Sequence, residues 1–467
     1  MDVPANAAPC DDASPAASAS VVRHGTTAAL VVVVVAAVVP SLPGMVVRAG
    51  TAPPLLADWH PRIGPGTLPS LALVALACSP ALHRASDRLG WRRLLAAAWM
   101  LGVVWMLCLA FVDGLGGISR PLDQSTEYLP TARAVDDVQE TLRGFVGRIP
   151  FDRPDHWPVH VAGHPPGALL LFVALVRVGL ASGLAVGLMV VAVAATTPLA
   201  VATALRALGA EHLARIALPF LVIGPAAIWQ AVSADAVFAA VGAWGTAALA
   251  TSTTMGCRRS APWRAVAWAA LAGVLFGVCV FLSYGLVLLP LLALGVLVAS
   301  RRWLPLLVAI PAGLAVVVAF AWAGFAWWEA FPVLRQRYAD GIASQRPAAY
   351  WLWANLAAFT ICTGPVIIGA VWAALARFGV GAARASHLSL RRRSDARAPV
   401  LVAAAVAMVA MADLSLMSKA EVERIWLPFV PWLAISAAML PPAWRRPALA
   451  SQAVLAVAVQ HFLWTPW

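Results

Sequence analysis

Asp123 and Glu127, in the run Asp-Gln-Ser-Thr-Glu-Tyr-Leu, are four residues apart. On a helix their carboxylates would share one face, with Tyr128 beside them. Two acids facing a cavity can divide the work: one takes a proton as general base, the other orients or balances charge. The same spacing also fits two solvated loop acids. A second candidate is Gly163-His164-Pro165-Pro166-Gly167. The prolines stop a preceding helix and suit the first turn of the next. His164 then lies near a helix amino terminus, where N–H groups favour an anion such as phosphate. A plain helix start would read the same way. The third candidate is the charged turn Lys419-Ala-Glu-Val-Glu-Arg424, followed by Pro428 and Pro431. Arg424 can hold phosphate oxygens in a bidentate contact, and Lys419 can add a point charge. Alternatively both snorkel to the surface and pair with Glu421 and Glu423. Asp235 is an isolated acid between apolar runs, where charge is costly and so suggests function. With Ser233 it could equally cap a helix. The 329–350 stretch, with Arg335, Arg337, Tyr338, Asp340 and Arg346, reads as a polar cover.

The elements that must position these residues are apolar helices. Of 467 residues, 61% are apolar and only 12% are charged. Many runs reach the roughly 20 residues that cross a hydrocarbon core of about 30 Å. Helices satisfy their own backbone hydrogen bonds in lipid, so the fold class is all-α: a polytopic transmembrane bundle of about thirteen crossings, twelve to fourteen. The net charge of +12 lies in short Arg clusters between apolar runs. That is the positive-inside pattern and excludes a nucleic-acid surface. The six cysteines form no framework and no metal spacing, and no metal or cofactor is expected.

Residues 1–26, rich in Ala, Ser, Pro and Asp, read as a disordered cytoplasmic tail, with the transmembrane part over 27–465. Crossings fall near 27–47, 67–83 and 93–112. Arg84, Arg88, Arg92 and Arg93 place their connector in the cytoplasm. The loop 113–165 then lies outside, and it holds eight of the 21 Asp and Glu residues. By the same rule 329–350, 417–424 and the carboxyl terminus lie outside, and Arg391 to Arg393 inside. The 166–205 stretch reads as two helices broken at Gly179 to Gly183, the first too short to span.

Taken in order, these motifs resemble the GT-C glycosyltransferases, most nearly glycosyltransferase family 39, the protein O-mannosyltransferase and aminoarabinose-transferase type. The matching features are Asp123 with Glu127 and Tyr128, then His164-Pro165-Pro166, then Asp235, then Arg424-Ile-Trp-Leu-Pro428-Phe-Val-Pro431. The family's adjacent acidic pair is here spread as D-x-x-x-E. The resemblance covers roughly 93–440 and implies a multi-pass enzyme of the plasma membrane with its site on the extracytoplasmic side. It implies a sugar donor on polyprenyl phosphate and a glycan, lipid or protein acceptor, with membrane lipids as further partners. Asp123 would be the general base, with Glu127 in reserve. His164, Lys419 and Arg424 would hold the donor phosphate, supported by Tyr128 and Asp235. Two other classes fit the same composition: a transporter or lipid flippase, and a non-catalytic scaffold of envelope synthesis.

Overall fold

The computed structural model describes residues 15–255, 262–384 and 397–466. Among them the chain is all-α except for a two-stranded antiparallel ribbon, Asp58–Trp59 against Leu463–Trp464. Among the described residues six helices are long and apolar enough to cross a membrane: Ala19–Ser41, Trp91–Asp113, Gly183–Ala207, Ala234–Met255, Pro262–Leu282 and Arg397–Leu414. Three further pairs are bent by 65°, 73° and 105° at short breaks, which makes nine if each pair is one span. The sharpest bend joins Ala348–Thr363 to Pro365–Arg377. There Gly364 takes φ +95°, a conformation open to glycine, and Pro365 starts the next helix. Outward faces carry large apolar side chains such as Val34, Leu314 and Val318, each more than half exposed, as a lipid-facing surface requires.

Two boundaries differ from the sequence reading. The first helix is Pro15–Val38, not 27–47. Its Ala-Ala-Ser-Ala-Ser start is polar enough to look disordered, yet alanine is the best helix former. Pro40 and Pro43 end it early. Residues 1–14, Cys10, Cys257 and Arg391 to Arg393 lie outside the described residues. Pro166–Arg177 is a 12-residue helix, too short alone for a bilayer.

The Trp91–Ala110 and Pro442–Phe462 helices mark two ends of the bundle. At one, Arg62 pairs with Asp113 at 2.6 Å and Gln460 donates to the same carboxylate at 3.1 Å. At the other, Arg215 donates to the Leu89 carbonyl at 3.0 Å and Arg446 Nε to the Cys78 carbonyl. The first end gathers three segments distant in sequence. Arg337 donates to the Ile149 and Trp157 carbonyls. Arg346 donates to the Lys419 carbonyl at 2.7 Å and meets Glu421 at 3.3 Å. The Lys419 N–H donates to the Tyr338 hydroxyl at 2.9 Å. The stretches 113–165, 329–350 and 417–424 therefore pack on one another. Single cysteines placed in each are expected to label from one side of the membrane, and a cysteine at Arg446 from the other. Labelling of Arg446 and the 113–165 positions from the same side would refute this arrangement.

The central helix is Ala234–Met255, buried on almost every side and lined with alanine and glycine. Small residues let neighbouring helices approach closely where lipid offers no hydrophobic drive. Its first turn carries Asp235, directed to the end where the loops gather.

A buried carboxylate, imidazole and guanidinium cluster

Glu127 sits where the chain changes direction. Pro121–Asp123 is a 3-10 turn, Gln124 is extended, and Glu127, extended at φ −94° and ψ 179°, precedes the Tyr128–Arg133 helix. The helix that would put Asp123 and Glu127 on one face is thus absent, broken between the two acids. Asp123 turns to Arg133 instead, with contacts of 2.6 and 3.1 Å, and Arg133 also donates to the Ala181 carbonyl. That pair is about a third exposed. Asp123 therefore does not line the cavity expected of it.

Glu127 turns inward. The His160 N–H donates to the Thr126 carbonyl at 3.2 Å, which lays the Val159–Ala162 turn over Glu127. His160 Nδ1 then lies 2.6 Å from Glu127 Oε1. A carboxylate only accepts, so Nδ1 carries the proton; Nε2 accepts from Arg424 Nη2 at 3.3 Å. Arg424 Nη1 stands 3.7 Å from Glu127 and 3.5 Å from Asp235, and its Nη2 is 3.9 Å from Glu421. His164 Nδ1 donates to the His160 carbonyl at 2.9 Å, which leaves Nε2 facing Asp235 at 3.9 Å. Tyr128 meets the His164 ring edge-on and stacks on Phe172. Glu127, Asp235 and Arg424 are 4%, 2% and 3% exposed.

The prolines act as their sequence implies. Pro165 is extended and Pro166 opens Pro166–Arg177, so His164 stands just before a helix start. Ser233 accepts from the Ala236 N–H at 3.3 Å, so it caps the central helix while Asp235 joins the cluster. Arg424 is aimed by a strained turn. Ala420 and Glu421 both take positive φ, +71° and +64°, at a cost of roughly 1–2 kcal/mol per residue. Asn355, 1% exposed, holds the turn: it donates to the Ser418 carbonyl at 2.7 Å and accepts from the Ala420 N–H at 3.1 Å. Lys419 Nζ donates to the Ala343 carbonyl at 3.1 Å, so its charge belongs to the polar cover.

Electrostatics sorts the groups. Burial pushes the Glu127 carboxyl upward, but the hydrogen bond from His160 and the nearby positive charge of Arg424 hold it net below its ordinary value, ionised at neutral pH. Burial lowers His164 more than Asp235 raises it, so that ring is neutral. Burial, then the Asp235 and Glu127 charges, raise Tyr128 well above its usual range, so it stays a phenol. Burial opposes charge on Arg424, yet Asp235, Glu127 and Glu421 raise its pKa and keep it protonated. Among the described residues Glu127 Oε2, the Tyr128 hydroxyl and Asp235 Oδ2 are buried with no hydrogen-bond partner. Each such group costs about 1–3 kcal/mol, which a hydroxyl-bearing ligand would offset.

Glu423, next to Arg424 and fully buried, accepts from the Leu56 N–H at 3.2 Å. Burial, with Glu421 nearby, pushes its carboxyl from 4.5 up to about 7. A folded-state pKa raised this way favours the protonated fold. Its contribution is full below pH 4.5 and is lost as pH rises through 7. Glu423→Gln is expected to stabilise the protein at pH 8 by at most about 3 kcal/mol, and not at pH 4. Thermal unfolding in detergent across that range measures it; equal effects at both ends would be inconsistent with the raised pKa.

The structure thus brings together Glu127, Tyr128, His164, Asp235 and Arg424, and leaves Asp123 and Lys419 in other contacts. Sequence reading missed His160 and Asn355. His160 had a signal, since it stands four residues before His164. Asn355 lies inside an apolar run and gave only its polarity. No group of three or more His, Cys, Asp or Glu among the described residues is arranged to hold a metal ion. Fold and site together define an all-helical protein, suited to a membrane, with a buried acid–base cluster at one end. No protein-family model, curated protein or solved structure matches the chain.

Proposed function

We propose that this chain is a GT-C-type membrane glycosyltransferase. It moves a sugar from a polyprenyl-phosphate donor to an acceptor hydroxyl at the extracytoplasmic face of the plasma membrane, with Glu127 as general base. The observation that carries the reading is the Glu127 carboxylate: buried, ionised, held on one oxygen by His160, and with the other oxygen unbonded. Glu127 takes the acceptor proton, and the acceptor oxygen attacks the anomeric carbon from the side opposite the phosphate. The bond from that carbon to the phosphate oxygen breaks with inversion, and polyprenyl phosphate leaves. Charge growing on the phosphate needs cations or N–H donors. In this reading Arg424 serves that end of the site, with Lys419 at its cover, and Arg424 also orients Glu127 and Asp235; His164, expected from the sequence to hold the phosphate, spends its one N–H on the His160 carbonyl. Asp123 becomes a structural partner of Arg133. The proposal keeps a multi-pass bundle of which the described residues supply six spans, or nine if each bent pair is one.

The test is release of polyprenyl phosphate by the purified full chain in liposomes. The panel comprises polyprenyl-phosphate sugars with envelope glycans, lipids and proteins as acceptors. Release that depends on Glu127 supports the proposal. No release from any donor by a folded preparation overturns it.

A further inference from the structure

At the other end of the bundle, about 240 Å³ of cavity is lined by His83, Asp87, Arg215, Arg445 and Arg446 among others. Three elements build it. The Ala81–Arg88 helix leaves Thr67–Cys78 at 65°. It is pinned there by Ser86, whose hydroxyl donates to the Arg215 carbonyl and whose own carbonyl accepts from Arg215 Nη1 at 2.7 Å. The first turns of Pro442–Phe462 supply Arg445 and Arg446.

The charges in this wall are not equivalent. Arg215 is committed to Glu211 at 2.8 Å and to the Ser86 and Leu89 carbonyls, so it is frame. Arg445 and Arg446 use Nε on the Leu440 and Cys78 carbonyls. That ties each guanidinium group to the cavity wall through Nε. Asp87 is the one carboxylate in the lining, against these two guanidinium groups. His83 is the second, independent observation: both of its ring nitrogens are buried, and neither has a hydrogen-bond partner among the described residues. Leaving such a group unsatisfied is unfavourable. Two fixed guanidinium forks beside an unsatisfied imidazole suit a tetrahedral oxyanion.

We propose that this cavity binds a phosphate group, held by Arg445 and Arg446 with His83 as a further contact. It lies at the end of apolar helices opposite the Glu127 cluster. The phosphate would come from an anionic lipid headgroup or from a free phosphate. The inference does not depend on the glycosyltransferase reading, since it uses none of the residues of that site.

Dioctanoyl-phosphatidylglycerol and inorganic phosphate are titrated separately onto the purified full chain in neutral detergent, and thermal unfolding is followed. A ligand of the native state raises the midpoint in a saturable way. Saturation by the lipid alone identifies a headgroup site; saturation by both identifies a site for phosphate itself. Either supports the proposal if Arg445→Ala/Arg446→Ala weakens apparent affinity about tenfold or more. Arg445→Lys/Arg446→Lys keeps the charge but loses the fork. It is expected to weaken binding several-fold and covers the case in which the alanine pair does not fold. His83→Gln is expected to weaken binding less than the alanine pair does. Arg301→Ala/Arg302→Ala removes the same charge elsewhere. If that pair weakens binding as much, the attraction is non-specific and the proposal falls. It falls equally if neither probe saturates on the wild-type chain.

Discussion

Glu127→Gln is expected to lower glycosyl transfer by a factor on the order of 10²–10⁴, the usual loss when a general base is removed. Asp123→Asn is expected to retain most of it. The two acids are four residues apart but differ in what surrounds them. Asp123 is partly exposed and neutralised by Arg133, so a proton held there would be far from any buried reaction. Glu127 is buried and held below its ordinary pKa by His160 and Arg424, and so carries its charge into the cluster. The amide introduced by Glu127→Gln would still accept the His160 N–H but could not take a proton. Turnover should therefore fall while donor affinity, read from protection against thermal unfolding, stays close to wild type. His160→Gln supplies the finer test. If His160 only positions Glu127, this variant should lose less than Glu127→Gln and shift the acid limb of the pH profile upward. Full activity of Glu127→Gln together with loss in Asp123→Asn would return the base to Asp123 and refute the assignment made from the cluster.

What the sequence could and could not say divides along physical lines. Apolar length identified the helices, because bilayer thickness sets it. Pro165-Pro166 identified a helix start, because proline's missing N–H fits only there. The assignment of 113–165, 329–350 and 417–424 to one side came from Arg clusters, and the packing of Arg337, Arg346 and Tyr338 joins the same three segments. The choice between Asp123 and Glu127 was not legible. It depends on whether the chain stays helical across Gln124 to Thr126, and on Arg133, which stands in the helix that follows. Nor could hydropathy foresee where a run bends. A glycine at positive φ, as at Gly364, bends an apolar run without interrupting its composition. The turn at Ala420 and Glu421 was hidden for a similar reason: no glycine or asparagine marks its left-handed residues, and the buried Asn355 that holds them lies more than sixty residues away.

Arg424→Ala is expected to be the most destabilising single change in the cluster, about 3–5 kcal/mol. Its guanidinium stands within 3.9 Å of Glu127, Asp235 and Glu421, and donates to His160. Removing it leaves Glu127 and Asp235 buried without their counter-charge, and a stranded charge costs more than the pair was worth. The prediction separates two roles. Were Arg424 only a contact for a donor phosphate, the alanine variant would unfold like wild type and lose donor affinity alone. As a counter-ion it must be coupled to the acids. Glu127→Gln/Asp235→Asn in the Arg424→Ala background should therefore recover at least half of the lost stability, because it removes the charges that were stranded. Groups this close are expected to show interaction energies of about 0.5–3 kcal/mol in such cycles. Arg424→Lys should fall between, since an ammonium keeps the charge but cannot reach His160 and the carboxylates with one planar fork. Thermal unfolding in detergent measures all these variants. Additive losses, with no recovery in the combined variant, would mean that Arg424 does not stabilise these acids and that the cluster is not the coupled unit its distances describe.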